Sequence, residues 1–326
     1  MAKSSLQTII GLIKIARPVH WVKNVSIFAA LVFSGGLFTK VLFIKVFIGF
    51  LTFNLAASAT YSFNDVFDRK RDQMHPIKKN RPLAKGDLSV FEALIFAGTL
   101  ATASLFLSFQ LSYLFFVLIS TYLLLQIAYS LFLKNLAIID ILIIASGFII
   151  RVYSGAFIIN AHLSVWFLLC VISVALFLAS GKRRAELGTV GATGQTRKAL
   201  SKYQPELLNA YVAMFGNAAW LSWALFTFFE SPKATIPIWL FLAELSRTTT
   251  INKLLMITIP ITIFGIMRYQ SLIFEGRSET PEKLLLTDRS LITSVFIWIV
   301  IIVWILYGGA VRFALDNIVS FALATA

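Results

Sequence analysis

Apolar side chains follow one another in long runs from the first fifty residues of the chain to the last thirty. A helix needs about 20 consecutive apolar residues to cross a bilayer, and this length predicts nine membrane-spanning helices. They are placed near residues 24–38, 43–65, 90–109, 112–133, 138–160, 163–180, 207–229, 252–269 and 291–311. The first run is short and is expected to extend back through Trp21. The pattern therefore predicts an all-α membrane protein.

Two further segments carry apolar residues without the length to span a membrane. Residues 1–23 are amphipathic and basic, and they lack a small-residue cleavage site after a compact apolar core. They are expected to form a cytoplasmic lead-in helix at the membrane interface. The stretch 236–245 is expected to lie in the interface or to half-enter the membrane. We treat residues 1–326 as a single integral membrane domain.

Composition agrees with this class and excludes several others. The chain is 58% hydrophobic and 13% charged, with a mean hydropathy of +0.83, which lies far outside the range of soluble proteins. The single Cys170 excludes an internal disulfide. His20, His75 and His162 lack the spacing of metal ligands, which disfavours zinc and haem chemistry.

Basic residues are distributed unevenly between the two sides of the predicted helices. With the N-terminus in the cytoplasm, 22 of the 29 Lys and Arg residues fall on the cytoplasmic side and six on the other. This bias is the one that the positive-inside rule expects, so the net charge of +14 is attributed to membrane topology and not to nucleic acid. The two long loops, 66–89 and 181–206, share the cytoplasmic face, and we expect the chemistry there.

The sequence NDVFDRKRD carries three aspartates at helical spacing. Asp65, Asp68 and Asp72 fall on one helix face, with Asn64 beside them. Three carboxylates near hydrocarbon repel one another and require a counter-ion. Hard oxygen ligands with an amide favour Mg²⁺, which uses its remaining positions for water and substrate phosphates. The alternative is a solvated helix end with local ion pairs.

On these residues the sequence resembles the UbiA-type intramembrane prenyltransferase superfamily. The first motif of that superfamily is N-D-x-x-D-x-x-x-D, matched here by Asn64, Asp65, Asp68 and Asp72. The resemblance implies nine helices around a central cavity, and a diphosphate bound through Mg²⁺ at this motif.

The chain departs from the superfamily after the sixth predicted helix, where most members carry a second acidic motif. The equivalent place reads ASGKRRAELG, with Lys182, Arg183, Arg184 and Glu186. A basic cluster in place of an acidic pair predicts an anion-binding wall, and hence two anionic substrates. The alternative is that these side chains contact lipid head groups. Lys182 and Glu186, at i and i+4, share a face and are assigned to the site.

Other segments resemble one branch of the superfamily, the decaprenyl-phosphate phosphoribosyltransferases. They include RPVHWVKNVSIFAALVFSG, the first loop, YSLFLKNLAIIDILIIASGFIIRVYSGA and PEKLLLTDRSL. The resemblance implies transfer of 5-phosphoribose from phosphoribosyl diphosphate to a polyprenyl phosphate in the cell (inner) membrane, with membrane lipids as neighbours. It leaves polyprenyl chain length and a homo-oligomeric state open.

The resemblance also implies roles for individual residues. Asp65, Asp68, Lys182 and Glu186 are the expected catalytic residues, and Mg²⁺ is the expected cofactor, held by Asp65 and Asp68 with Asn64 and Asp72. The expected substrate-binding residues are Asn64, Lys78, Arg81, Lys85, Tyr129, Lys134, Arg183 and Lys23, with Arg17 as a further candidate. The incoming phosphate oxygen is already ionised, so no general base is required.

Two charged residues, Asp140 and Arg151, fall within the fifth predicted helix. They lie eleven residues apart and nearly on one face. A functional role and a buried ion pair that holds helices together are both compatible with this placement.

Two other functions compete with phosphoribosyl transfer. One is prenyl transfer from an isoprenyl diphosphate to an aromatic or glycerol-phosphate acceptor, and the other is anion transport. The basic cluster at Lys182 disfavours the first. The almost uncharged loops on the far side disfavour the second.

Overall fold

Long apolar runs form helices because a helix satisfies all its backbone hydrogen bonds within one segment, away from water. The computed structural model describes residues 5–74, 78–190, 202–230, 232, 251–275 and 281–324. No strand occurs among them. The described residues form twelve α-helices, labelled α1 to α12 in chain order: Ser5–Ala16, Phe28–Phe33, Lys40–Gln73, Pro82–Lys85, Val90–Leu111, Tyr113–Leu131, Ile139–Ile159, Val165–Val190, Pro205–Phe229, Ile259–Phe274, Pro281–Thr287 and Arg289–Ala324.

Four 3-10 helices join these elements. They are Pro18–Ile27, Lys78–Asn80, Leu133–Asn135 and Ile251–Thr258. The first, called the N-terminal 3-10 segment below, connects α1 to α2 and is unusually long at ten residues. The predicted lead-in helix within 1–23 is present as α1.

Eight helices among the described residues are long and apolar enough to cross a membrane. They are α3, α5, α6, α7, the stretch Val165–Gly188 of α8, α9, the stretch Lys253–Phe274 that ends with α10, and the stretch Arg289–Gly309 of α12. The all-helical multi-pass architecture is confirmed. The count of nine spanning helices is not.

The predicted helix at 24–38 is wrong as a continuous span. Residues 24–27 belong to the N-terminal 3-10 segment, and α2 has only six residues before the chain turns at Gly35, whose φ is +80°. A left-handed residue ends a helix, and glycine adopts this conformation without steric cost. Apolar composition alone did not reveal this break.

Two other predicted helices end too early. Helix α3 continues past 65 to Gln73, and α8 continues past 180 to Val190. Asp68 and Asp72 and the KRRAE cluster therefore lie on helices and not in the predicted loops 66–89 and 181–206. Their polar side chains are satisfied inside the protein, so the helices need not end where the apolar runs end. The stretch 236–245 lies outside the described residues.

The helices pack around several apolar clusters. Phe53 of α3, Phe115, Ile119 and Tyr122 of α6 form one with Ile27. Trp223 and Phe226 of α9 form another with Leu255 and Ile305. Near the charged residues, Ile15 of α1 packs on Leu83 of α4 and Leu88. Helix α1 and the short α4 are thereby held beside the end of α3.

Candidate active site

The three aspartates of α3 point into the protein on one helix face. Asp65, Asp68 and Asp72 are 2%, 4% and 4% exposed. Asn64 donates from Nδ2 to Oδ2 of Asp68 at 3.0 Å. The predicted common face is therefore observed. The helix-end alternative required this face to be solvated, whereas it is buried. Buried carboxylates must be paired with cations or hydrogen-bond donors.

Each of these carboxylates contacts a basic side chain from another part of the chain. Arg17 donates from Nη2 to Asp65. Arg81 Nη1 lies 3.1 Å from Oδ1 of Asp65 and 2.6 Å from Oδ2 of Asp72. Lys134 Nζ lies 2.7 Å from Oδ1 of Asp68. Arg71, on α3 itself, lies 3.6 Å from the same oxygen of Asp68. Three carboxylates and four basic groups thus form one set, called the aspartate cluster below.

Two of these basic residues, Arg81 and Lys134, are positioned by short helical elements. Arg81 is extended and precedes Pro82 at the start of α4. The other end of α4 is tied to α3 because Gln73 donates from Nε2 to the carbonyl oxygen of Ala84 at 3.2 Å. Lys134 sits in the 3-10 turn between α6 and α7 and is only 4% exposed. The predictions that Arg81 and Lys134 lie at the site agree with these positions.

Arg17 reaches the aspartate cluster from a strained backbone position. Its φ is +53°, in the left-handed region, where α1 gives way to the N-terminal 3-10 segment. Its guanidinium carbon lies 5.2 Å from the ring centre of Tyr61, and Lys23 Nζ lies 5.7 Å from the same ring. Tyr61 precedes Asp65 by one turn of α3. Its role was missed, although the spacing of four residues could have indicated it.

A second buried cluster surrounds Arg183. Its Nε forms an ion pair with Asp140 of α7, and its Nη1 pairs with Glu186 one turn along α8. Its Nη2 donates to the hydroxyl of Tyr129 of α6 at 2.7 Å. Arg183 is fully buried. The predicted anion-binding role of Arg183 must therefore account for two carboxylates that already neutralise it.

Tyr203 extends this second cluster from the start of α9. Its hydroxyl donates to Oδ1 of Asp140 at 2.6 Å and accepts from the backbone N–H of Ile138 at 2.5 Å. Shielding from water, reinforced by the bond to Asp140, raises the pKa of the Tyr203 hydroxyl. The residue was not predicted, because 63 positions separate it from Asp140 in the chain.

The remaining predicted basic residues are not all brought to the aspartate cluster. Lys78 is half-buried in the turn that precedes Arg81, and Lys182 is half-buried on α8 beside Arg183. Lys85, in contrast, is exposed at the end of α4, where its Nζ lies 3.6 Å from Oδ2 of Asp87.

Asp140 and Arg151 have separate partners. Asp140 does form a buried ion pair that joins helices, but with Arg183. Arg151 donates from Nε to Oδ1 of Asn24 at 2.5 Å and from Nη2 to the hydroxyl of Tyr122 at 3.1 Å. Their common helix face therefore does not bring them together.

The donor set of the aspartate cluster fits Mg²⁺ by its chemistry. One guanidinium nitrogen of Arg81 contacts oxygens of both Asp65 and Asp72, so these carboxylates converge on a single positive point. Carboxylate and amide oxygens are the ligands that Mg²⁺ prefers. Within the described part of the chain, no three His, Cys, Asp or Glu side chains are gathered tightly enough to form a ready metal site. Mg²⁺ would have to displace the basic partners.

The fold and the site define a class of protein, namely a helical membrane protein with a buried cluster of aspartates and basic residues at the ends of its helices. The chain belongs to the UbiA prenyltransferase family, whose model matches residues 24–181. This agrees with the resemblance seen in the first aspartate motif.

Two relatives are similar over most of the chain. The decaprenyl-phosphate phosphoribosyltransferase of Mycolicibacterium smegmatis is 35% identical over 294 residues, which cover 89% of this chain and 90% of the relative. The enzyme of the same name from Corynebacterium glutamicum is 34% identical over 302 residues, which cover 91% of this chain and 87% of the relative. The chain is accordingly a transferase.

A solved structure has the same fold. It is a UbiA homolog from Archaeoglobus fulgidus bound to GPP and Mg²⁺, with a TM-score of 0.64 and 16% identity. The alignment covers 92% of this chain and 99% of that structure. At this identity the likeness concerns the fold alone.

Proposed function

We propose that the protein transfers the 5-phosphoribosyl group of phosphoribosyl diphosphate to a polyprenyl phosphate and releases diphosphate. Decaprenyl phosphate is the acceptor that we propose. The observation that carries the proposal is the pairing of each buried aspartate with a basic side chain. Such a cluster can bind a metal and phosphate groups side by side. The names of the two similar transferases support the choice of acceptor.

The second cluster supports a donor other than an isoprenyl diphosphate. Arg183 occupies the region where a second acidic motif would bind metal, and it is already neutralised by Asp140 and Glu186. The acidic side chains there are engaged, so the aspartate cluster is the main metal-binding candidate. We infer that Arg183 and Glu186 hold the hydroxyl of Tyr129 in place, while Lys182 beside them contacts phosphate.

Asn64, Asp65, Asp68 and Asp72 would hold Mg²⁺, which when bound neutralises the charge that develops on the departing diphosphate. The A. fulgidus structure is described as bound to Mg²⁺, which supports a metal requirement, and the choice of ligands rests on the burial and convergence of these side chains in the present chain. Asp65 and Asp68 are central because they are the most heavily paired and lie deepest along α3. Asp72 and Asn64 complete the oxygen donor set.

The basic residues of the aspartate cluster exchange partners when substrates bind. Arg81, Lys134 and Arg17 leave the carboxylates and contact phosphate oxygens, which are equally good acceptors for charged donors. Lys78 and Lys23 lie on the same side and add positive charge. Lys85 is left out, because it pairs with Asp87 at the surface.

The reaction needs little proton transfer. The bond from the anomeric carbon of ribose to the diphosphate oxygen breaks, and a bond from that carbon to the lipid phosphate oxygen forms. The attacking oxygen is already ionised, and the leaving diphosphate departs as an anion. The residues therefore act by orienting two anions and stabilising charge, and not as general bases.

The distribution of basic residues supports a location and an orientation. We propose that the protein lies in the cell (inner) membrane with its N-terminus and its aspartate cluster on the cytoplasmic side. A water-soluble donor would then enter from the cytoplasm, and the acceptor would arrive within the bilayer.

Incubation of the purified protein with Mg²⁺, labelled phosphoribosyl diphosphate and decaprenyl phosphate tests the proposal. We expect a labelled lipid that is lost on chelation and in Asp65→Asn. The matched control is Asp87→Asn, which removes an acid paired only at the surface. Consumption of geranyl diphosphate alone would instead establish a prenyltransferase. Uptake of donor into liposomes without product would establish a transporter.

A further inference from the structure

The buried side chain of Arg151, midway along α7, takes no part in the reaction proposed above. It is 5% exposed, and none of the described carboxylates lies within ion-pair distance of it. Its partners are the side-chain oxygen of Asn24, the hydroxyl of Tyr122 and the carbonyl oxygen of Gly147. The rings of Phe53 and Tyr122 lie 5.0 Å and 5.1 Å from its guanidinium carbon. A cation this deep in a membrane protein is retained for a function.

Asn24 connects Arg151 to the N-terminal 3-10 segment. Its amide oxygen accepts from Arg151, and its Nδ2 donates to Oδ1 of Asn54 on α3 at 2.6 Å. Asn24 is completely buried. A single amide thus joins the 3-10 segment to α7 and α3 at the same point.

Further polar contacts tie the same segment to α3, closer to the aspartate cluster. Trp21 donates from Nε1 to Oγ of Ser58 at 3.1 Å, and Ser58 donates to the carbonyl oxygen of Ala16 at 3.0 Å. Arg17 then contacts Asp65. The 3-10 segment therefore runs antiparallel to α3 along one of its faces, and a row of polar contacts joins the two elements.

The distance between the first and last of these contacts is similar along the two elements. Arg17 to Asn24 covers seven residues of mostly 3-10 helix, which rise about 14 Å at roughly 2.0 Å each. Asn54 to Asp65 covers eleven residues of α-helix, which rise about 16 Å at roughly 1.5 Å each. A shift of the 3-10 segment by one residue would take Arg17 off Asp65. The anchor at Asn24 therefore sets the position of Arg17.

A close approach on α7 fixes the same end of the segment. A Cβ atom on Gly155 would lie 1.9 Å from the carbonyl oxygen of Ile27, so only glycine admits the 3-10 segment at this depth. Arg151 lies one turn before Gly155 on α7. The segment is thus seated against α7 by one close contact and one charged hydrogen bond.

We propose that Arg151 is a positioning residue, which acts through Asn24 to hold the 3-10 segment in the register that presents Arg17 to the aspartate cluster. The inference rests on the proposed function. It assigns a role in binding the donor to a buried cation whose described contacts are Asn24, Gly147, Tyr122 and Phe53.

A double-mutant cycle between Arg151 and Arg17 tests the mechanism. We expect Arg151→Met to raise the KM for phosphoribosyl diphosphate by about tenfold with a smaller change in kcat, because donor binding depends on Arg17. In the Arg17→Ala background the same substitution should change kcat/KM by less than about twofold. Independent effects that multiply would show that Arg151 acts elsewhere and would overturn the proposal.

Two further variants separate positioning from general stability. Asn24→Ala removes the same link from the other side and should reproduce the KM effect, which keeps the test open if Arg151→Met does not fold. Trp223→Phe removes a buried hydrogen bond to Thr258, 3.0 Å long, between α9 and the 3-10 helix Ile251–Thr258. It should lower the melting temperature without changing KM. An equal KM change in Trp223→Phe would contradict the proposal.

A distance measurement tests the register without any assay of activity. Spin labels at Val19 in the 3-10 segment and Phe106 on α5, both exposed, would report the position of the segment in a Cys170→Ser background. We expect a broadened or shifted distance distribution in Arg151→Met and none in Trp223→Phe. An unchanged distribution in Arg151→Met overturns this inference and leaves the proposed function standing. Absence of transfer in the wild type overturns the proposed function and with it the role in donor binding, whereas the distance measurement still decides whether Arg151 sets the register.

Discussion

Lys134, in the turn between α6 and α7, places Nζ 2.7 Å from Oδ1 of Asp68 on α3, and both side chains are about 95% shielded from solvent. This pair joins the residue that would hold metal to one that would hold phosphate. Asp68 also contacts Asn64 and, at 3.6 Å, Arg71, so it keeps polar partners when Lys134 moves. In the proposed reaction the pair would couple metal binding and phosphate binding at one position.

Lys134→Met should lower both stability and activity. Loss of Lys134 leaves the buried Asp68 carboxylate with the amide of Asn64 and the more distant guanidinium of Arg71, 3.6 Å away, which costs about 1–3 kcal/mol of unfolding free energy. Thermal unfolding in detergent measures this, and addition of Asp68→Asn should recover most of the stability but no transfer. The matched control is Lys79→Ala, which changes an exposed lysine of the 3-10 helix Lys78–Asn80. Full activity in Lys134→Met would contradict a phosphate-binding role.

Arg81→Ala should change the metal and donor requirements in opposite directions. The Arg81 guanidinium occupies oxygens of Asp65 and Asp72 that Mg²⁺ would bind in the proposed site. Its removal should lower the Mg²⁺ concentration for half-maximal activity and raise the donor KM. We expect kcat/KM to fall by about 10²-fold, as for loss of one charged donor at a reacting group. A Mg²⁺ titration at saturating donor measures the first effect. An increased Mg²⁺ requirement would show that Arg81 helps to bind the metal complex instead.

Arg183→Met should destabilise the protein more than Glu186→Gln does. The first change leaves Asp140 buried without its cation, whereas the second leaves Arg183 paired with Asp140. A difference of about 2–3 kcal/mol in unfolding free energy is expected from the cost of an unpaired buried charge. Denaturation of both variants provides the measurement. Equal losses would mean that Glu186 is the more important partner of Arg183.

Tyr203→Phe should destabilise the protein by about 1–3 kcal/mol, because Asp140 loses a donor and the N–H of Ile138 loses its acceptor. The raised pKa of the Tyr203 hydroxyl keeps it protonated, so its contribution is complete below about pH 10, the usual pKa of tyrosine. It is lost only as pH rises through the higher folded-state pKa. The difference in stability from wild type should therefore be constant from about pH 6 to 9. A difference that varies over this range would point to another titrating group.

The sequence predicted the features that depend on local spacing. Asp65, Asp68 and Asp72 share a face because their positions repeat with the helical period, and the spanning helices follow from the length of the apolar runs. Arg81 and Lys134 were also placed at the site, and the described structure brings both to the aspartates.

The features that were missed depend on contacts between distant elements. Asp140 and Arg183 are far apart in sequence, and nothing in their local context indicates that they pair. Lys85 was expected at the site, but the turn at Gly86, with φ of +90°, leaves it beside Asp87 on the surface. The predicted helix at 24–38 is divided between 3-10 geometry up to Ile27, which lies close against Gly155 of α7, and a turn at Gly35, and no hydrophobic pattern records either feature.

The pairing of every carboxylate in the aspartate cluster has a consequence for how the protein is made. Since Arg17, Arg81 and Lys134 already compensate the three carboxylates, the folded site buries no aspartate of this cluster without a cation. Chain insertion and folding can then be completed before any divalent ion binds. This differs from metalloproteins that remain unfolded until the metal binds. Magnesium supply would limit turnover by mature enzyme and not the yield of its biogenesis.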